Sequence, residues 1–453
     1  ELIFPLVLSG EDGAVPVIDE AKLPQHMYAM LAATAGVTSV SVAGDTVDAL
    51  PVMVPSDKSV FGEAHYSFTL APTLGFDHAE ATGAALPADY ELAAWAPDAL
   101  LGPAWPAIYA ALGSAIHNDY PVIEGLLNAV HLDHSITLEY TPEQMLERGI
   151  TTIDVTSHVA AVDESSSGRI VTVALELKAN GEHVGSTQER FAIRGRATGN
   201  RAPSEAAPFG GAHVEVVDTP RSVLRRVSVK APDDMTPFAI VSGDYNPIHT
   251  SYAAAKVAGM DAPLVHGMWL SATAQHAAEA VVAGQGGAQI AGWTYYMYGT
   301  VDLNDEVEIT VERVGRVVGG GLSLEVTCRI DKQVVSRASA YTFAPKVAYV
   351  YPGQGIQSAG MGLDERTKSK AVDEVWRRAD AHTRSAMGFS ILAIVRDNPT
   401  EIVARGVTYR HPEGVLNLTQ FTQVALATLA IGQTARMREE GVLVPGAAFA
   451  GHS

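Results

Sequence analysis

In the stretch Glu306-Val307-Glu308-Ile309-Thr310-Val311-Glu312 every second residue is apolar. A period of two marks a β-strand with one buried face. Reading onward, Gly319-Gly320-Gly321 gives a turn, and Leu324, Val326, Cys328 and Ile330 then alternate with Glu325, Thr327, Arg329 and Asp331. A short turn at Asp331-Lys332 leads to a last strand through Tyr341 and Phe343. An earlier block repeats this layout. One strand runs through Ile153 and Val155 to Val159, and a polar turn spans Asp163 to Gly168. A second strand carries Val171, Val173, Leu175 and Leu177, and a third reaches Phe191 and Ile193. Asn180-Gly181 between them is a hairpin signal, because both turn positions need positive φ. Long strands joined by tight turns predict an antiparallel meander in each block.

Each meander follows a segment of helical character rich in small residues, Trp105 to Ile116 ahead of the first and Gly267 to Val282 ahead of the second. Small residues let a sheet wrap closely around a helix. A helix wrapped by antiparallel sheet, twice over, resembles the double hotdog fold, an α+β architecture. Two copies in one chain would replace the usual dimer. The expected boundaries are a first hotdog half at 94–195, a linker at 196–212 rich in Gly and Pro, and a second half at 213–345. Residues 1–93 read as a connector or a degenerate hotdog, with a helix over Pro24 to Ala35 and a strand over Val60 to Leu70. After Pro345 the pattern changes to strands alternating with helices, which predicts an α/β domain over 346–453.

A length of 453 residues suits about three units. The net charge of −20 argues against non-specific binding to nucleic acid or to anionic membranes. An acidic partner would need a local basic patch. Arg221, Arg225 and Arg226 are the candidate, with a solvated strand edge as the plainer reading. The single cysteine, Cys328, excludes an internal disulfide and fits a cytoplasmic location. Its alternation with Leu324, Val326 and Ile330 reads as core packing. Ala99 to Asn118 carries little charge, but its two prolines and His117 argue against a spanning helix. The start Glu1-Leu2-Ile3-Phe4-Pro5 lacks the basic region of a signal peptide. Both ends suggest a piece of a longer polypeptide.

The most informative segment for chemistry is Gly243-Asp244-Tyr245-Asn246-Pro247-Ile248-His249. Pro247 blocks regular helical bonding and pushes Asn246 to an extended conformation, while Gly243 permits an unusual backbone angle. Such a turn can bring Asp244 and His249 side by side, with Asn246 bracing the loop. A carboxylate and an imidazole together can remove one proton and deliver another. Burial is expected to raise the Asp244 pKa from about 4 and strengthen it as a base. A second element, Leu264-Val265-His266-Gly267-Met268, opens a helix. Its unpaired backbone N–H groups can stabilise negative charge developing on an oxygen.

The run Gly243 to His249 followed by His266-Gly267 resembles the signature of MaoC-like hydratases of the hydratase 2 type. The resemblance implies catalytic roles for Asp244 and His249 and an oxyanion contact from Gly267. It implies elimination or addition of water across the α,β carbons of an acyl thioester carried by phosphopantetheine of an acyl carrier protein or by CoA. No cofactor is implied for that step, and no metal. The first half lacks the motif. Its candidates, His131, Asp133 and His134, lack obvious partner ligands for a metal and read as a structural turn or part of a tunnel mouth. That half is expected to bind the acyl chain without catalysing.

Tyr351-Pro352-Gly353-Gln354-Gly355 and Gly451-His452-Ser453 resemble malonyl and acyl transferases. The resemblance implies that Ser453 holds the position of the acyl nucleophile on a strand-to-helix elbow. It places Gln354 in the oxyanion region, with Gln423 near it. The family's downstream base is absent from this chain, so the segment is expected not to turn over alone. A hydratase domain followed by a transferase resembles the order in type I fatty acid synthases of fungi and some bacteria. That resemblance implies a dehydratase of 3-hydroxyacyl carriers, with an acyl carrier domain and the remaining synthase domains as partners in a homo-oligomer. An enoyl-CoA hydratase and a non-catalytic acyl-binding module are the alternatives.

Overall fold

The computed structural model describes residues 6–7, 17–18, 22–37, 49–83, 86, 95–117, 120–165, 168–195, 209–210, 214–283, 289–345, 347–444 and 447–452. Apart from Phe209 and Gly210, the expected linker 196–212 lies outside them, and so does Ser453. The chain divides into two units, residues 1–315 with 322–343, and residues 344–453 with 316–321.

The first unit is a double hotdog built on one eleven-stranded sheet. In chain order its elements begin with helix α1 (Leu23–Thr34), strands β1 (Met53–Val54) and β2 (Glu63–Thr69), and helix α2 (Pro72–Gly83). The first half follows as helix α3 (Trp105–Ser114) with β3 (Ala129–Leu138), β4 (Thr152–Ser165), β5 (Gly168–Ala179) and β6 (Glu182–Arg194). The second half comprises β7 (Val216–Lys230), helix α4 (Thr236–Ser242), helix α5 (Gly267–Ala283), β8 (Ile290–Met297), β9 (Glu306–Val317), β10 (Leu322–Ile330) and β11 (Gln333–Thr342). The strand order is β7-β9-β10-β11-β8-β3-β6-β5-β4-β2-β1.

The alternation of β9 translates directly into burial. Val307, Ile309 and Val311 are in the core, while Glu306 and Glu308 face water. At the β5–β6 hairpin Asn180 and Gly181 both have positive φ, 51° and 82°, as a two-residue turn of that hand requires. Helix α5 is enclosed because Ala272, Ala274, Ala277 and Ala278 present no bulk to the sheet. Helix α3, the counterpart in the first half, spans ten residues and is buried along nearly its whole length.

The halves join through an antiparallel seam between β3 and β8, from Gly292 opposite Thr137 to Tyr296 opposite Asp133. Residues before the first half are built into the same body. Strand β2 pairs with β4 from Ala64 opposite Ser157 to Thr69 opposite Thr152, extending the sheet. Helix α1 lies on α3, where a Cβ at Gly113 would sit 3.1 Å from Tyr28 and 3.2 Å from Leu31. Helix α2 packs on α4 and α5.

His131, Asp133 and His134 do not form a turn. They lie within β3, opposite β6, where the register slips between Arg190 and Phe191 and leaves Leu132 as the extra residue of a bulge. The bulge breaks the alternation that would have marked a strand. Asp133 is ion-paired to Arg190. His134 is fully buried between two carboxylates, its Nε2 2.8 Å from Asp98 and its Nδ1 2.7 Å from Glu189. Burial alone would strip its charge, but the flanking Glu189 and Asp98 outweigh this and lift its pKa to about 10. Asp98 also accepts from Ser271 Oγ at 2.7 Å and Gln275 Nε2 at 2.5 Å, both on α5. This network ties the central helix of the second half to strands of the first.

Arg221 lies on the edge strand β7 and donates to Glu312 and Glu325 at 2.8 Å each, so it is committed within the sheet. Cys328 is buried on β10, and burial pushes its thiol up to about 12. It stays a neutral packing residue.

In the second unit, β12 (Ala348–Tyr351) and β13 (Ala448–Gly451) pair in parallel, Ala348 opposite Ala448 and Tyr351 opposite Gly451. Helices α6 (Lys370–His382), α7 (Ile391–Asp397) and α8 (Thr419–Glu439) supply a core around Trp376, Ile391 and Phe421. A parallel pair places the loops after both strands at one edge. There Gly353 and His452 are close enough that a Cβ on Gly353 would lie 2.3 Å from the His452 carbonyl oxygen. Among the described residues, no helix is long and apolar enough to cross a membrane.

Candidate active site

Helix α4 ends at Ser242, and Gly243 follows with φ of 67°, the left-handed cap that glycine tolerates best. The chain then turns into Asp244. Asn246, at φ −58° and ψ 114°, is kept out of the helical region that a following proline disfavours, and its Oδ1 accepts from Ile248 N–H at 3.3 Å. The turn Pro247–His249 therefore starts from its own side-chain cap. A backbone bond from Tyr245 N–H to the Thr34 carbonyl, 2.7 Å, fixes the loop to the end of α1.

The Asp244 carboxylate is buried and held by three donors. Its Oδ1 accepts from Tyr109 Oη and from Asn246 N–H, both at 3.0 Å, and its Oδ2 from His266 Nε2 at 2.5 Å. The proton placement on His266 follows from its other nitrogen. Nδ1 accepts from Met268 N–H at 3.1 Å, so the ring proton sits on Nε2 and is donated to Asp244. An amide in the first turn of α5 is thereby linked through one imidazole to the carboxylate. Burial was expected to raise the Asp244 pKa. It does act upward, but His266, the bond to it, His249 and the Asn246 amide outweigh it and hold the carboxyl at about 2.

His249 lines the same cavity, its ring centroid 4.4 Å from that of His266. Its Nδ1–H donates to the Leu264 carbonyl at 2.9 Å, leaving the Nε2 lone pair uncommitted. Burial, with His266 adding to it, lowers the His249 pKa to about 4. The imidazole is therefore neutral at pH 7. Gly267, the first residue of α5, also lines the cavity, and a Cβ there would strike Met297 Sδ at 2.5 Å.

The cavity measures about 1270 Å³. Beyond the polar loop its walls are mainly apolar, drawn from α1, α3, β3 and β8. One ligand-type atom from each of Asp244, His249 and His266 lies within 4.8 Å of the others. Both ring nitrogens of His266 and one of His249 are already used in hydrogen bonds. A cation there would have to displace the His266–Asp244 bond.

The structure thus brings Asp244, His249, Gly267, Gly243 and Asn246 together. The sequence reading gave no role to His266, although it stands in the quoted helix-start run, or to Tyr109, which arrives from the other half. In the second unit Gln354 Nε2 donates to Thr419 Oγ1 at 3.1 Å, at the start of α8, and Gln423 is exposed one turn along that helix.

Residues 210–333 match the MaoC like domain family, and residues 348–453 match the acyl transferase domain family. The chain carries a MaoC-like domain followed by acyl transferase sequence. The fatty acid synthase beta subunit stcK of Emericella nidulans is 32% identical over 263 residues, covering 50% of this chain. The fatty acid synthase subunit beta of Saccharomyces cerevisiae is 30% identical over 262 residues, covering 49%. This chain spans 14% and 13% of those two relatives. Among solved structures, a MaoC-like dehydratase from Phytophthora capsici aligns with 62% of this chain and 96% of its own, at 15% identity and a TM-score of 0.45. The peroxisomal multifunctional enzyme type 2 of Drosophila melanogaster aligns with 62% of this chain and 48% of its own, at 15% identity and a TM-score of 0.44.

Proposed function

We propose that the double hotdog dehydrates 3-hydroxyacyl thioesters carried on the phosphopantetheine of an acyl carrier protein, as one station of a type I fatty acid synthase. The observation that carries this reading is the Asp244–His249 pair beside the helix-start Gly267, at the wall of a large apolar cavity.

The electrostatics allot the chemistry. A carboxyl held at about 2 cannot give a proton at pH 7, whereas the neutral His249 can accept one. His249 Nε2 takes the α proton, and the C–H pair moves toward the thioester carbonyl. The N–H of Gly267 stabilises the oxygen that gains charge. The C–O bond at the β carbon then breaks, the C=C bond forms, and the leaving hydroxyl takes the proton back from His249 as water. Asp244 stays ionised, accepts a hydrogen bond from the substrate hydroxyl and stabilises the transient imidazolium. Proton transfer of this kind is worth about 10²–10⁴ in rate. The same groups serve hydration in reverse. The adjoining acyl transferase sequence and the synthase relatives favour synthesis over degradation.

In the second unit, Gln354 would shape the oxyanion region, Ser453 would hold the acyl group, and Gln423 would lie nearby. The other synthase domains would supply the rest of that site and the carrier. A cytoplasmic homo-oligomer is the setting that fits.

The test is absorbance at the enoyl-thioester band with 3-hydroxybutyryl-CoA and crotonyl-CoA, repeated with carrier-loaded substrates. Interconversion by the wild type is expected to fall at least ~100-fold in Asp244→Asn and in His249→Ala. Folded wild type inactive on both carriers, or unchanged rates in both variants, would leave a binding module instead.

A further inference from the structure

Helix α1 belongs to neither matched family segment, yet it forms one wall of the cavity. Leu23, Met27, Met30, Leu31 and Thr34 all line it. Their spacing is that of a single helix face. The face has a fixed origin, because the Thr34 carbonyl receives the Tyr245 N–H of the catalytic loop. From Thr34 the lining residues recede turn by turn to Leu23, about 16 Å away at a rise of about 1.5 Å per residue. Leu112 of α3 and Ile123 continue the same apolar lining. The cavity volume of about 1270 Å³ exceeds the ~300–1,000 Å³ usual for small-molecule sites.

We infer that α1 is the ruler of the acyl chain, and that the site takes chains well beyond four carbons. The inference rests on the dehydratase reading for what is presented at Asp244 and His249. The thioester is held at the Thr34 end, and the hydrocarbon tail runs along α1 toward Leu23. With C–C bonds of about 1.5 Å in a zigzag, each methylene advances about 1.25 Å, so this face spans roughly a dozen carbons. Met27 and Met30 suit the task, since unbranched thioethers repack around tails of different length. The chain grows by two carbons per synthase cycle, so one dehydratase must accept a series of lengths.

The experiment introduces bulk at two depths in the full 453-residue chain. Met30→Trp narrows the cavity about one turn from the catalytic loop, and Leu23→Trp narrows it three turns away. Both residues are half-buried, so the larger ring can be tolerated. kcat/KM is measured for four-, eight-, twelve- and sixteen-carbon 3-hydroxyacyl-CoAs. Calorimetric affinity for the matching saturated acyl-CoAs is measured on the same proteins. The expected result is a break of at least tenfold in each series, at eight carbons in Met30→Trp and at twelve or sixteen in Leu23→Trp. Breaks at one common length, or a uniform loss at all lengths, would overturn the ruler. Ordered breaks in binding without turnover would keep the ruler and overturn the dehydratase reading. If circular dichroism shows Met30→Trp unfolded, Met30→Phe takes its place with the same expected order.

Discussion

The phenol of Tyr109, on the central helix of the first half, donates its proton at 3.0 Å to Oδ1 of Asp244, a residue of the second half. Tyr109 is buried, stacked on Trp105 at 5.2 Å, and its pKa stands well above 10 because of burial and the adjacent carboxylate. It is therefore a permanent donor. The half that lacks the Gly243–His249 run still supplies a donor to the Asp244 carboxylate.

Tyr109→Phe is expected to reduce kcat about tenfold or more, with a smaller change in KM, since a hydrogen bond to a charged group is worth about 1.5–3 kcal/mol. An unchanged kcat would assign Tyr109 to packing.

His266 joins the first turn of α5 to Asp244, and its removal severs both bonds. His266→Ala should lower kcat about 100-fold and raise the Asp244 pKa. His266→Gln, which can still donate to the carboxylate, should recover part of the rate. Steady-state kinetics on the pair decides this.

Gly267→Ala pushes a methyl against Met297 Sδ, 2.5 Å away. On the proposed mechanism, displacing the Gly267 N–H should cost about 10²-fold in kcat. Because the obstacle is the end of a flexible side chain, adding Met297→Ala should restore at least part of the loss. Failure of that rescue would mean that the methyl blocks the thioester itself.

Stability should peak near pH 6.5, the ordinary histidine value. Burial lowers His78 to about 4, His249 to about 4 and His276 to about 3, with neighbouring histidines adding to the last two. As pH falls below 6.5 the unfolded chain binds protons these three refuse, so stability declines. Above 6.5 the sign reverses. His134, at about 10, and Glu279, pushed to about 8 by burial, hold protons that the unfolded chain has released. Thermal scans from pH 5 to 9 should show this dome, and Glu279→Gln should flatten its alkaline side.

Much of this molecule was legible before its structure. The two meanders were readable because buried apolar residues alternate with less buried ones along much of their strands, and the Asp244–His249 loop because its parts are contiguous. What escaped depends on chain segments far apart. The direction of the Asp244 shift is set chiefly by His266, which no local spacing connects to it, and the Tyr109 donor arrives from the other half. His134 looked like part of a turn because the bulge at Leu132 disrupts the alternation, and its partners Asp98 and Glu189 lie on other elements. Helix α1 could be predicted as a helix, but its partner, α3, is fixed only by tertiary packing.

Asp98 gathers His134, Ser271 and Gln275 in the interior. Asp98→Ala should cost about 3–5 kcal/mol in urea unfolding, because it leaves the His134 charge half-paired in the core.

The seam from Gly292–Thr137 to Tyr296–Asp133 makes one sheet of two halves. Two separate chains meeting at such a seam would come apart on dilution, and each would have to serve as both halves. Covalent union removes the concentration dependence and the obligation of symmetry. The two halves are free to differ, and the first lends the phenol of Tyr109 to a carboxylate of the second.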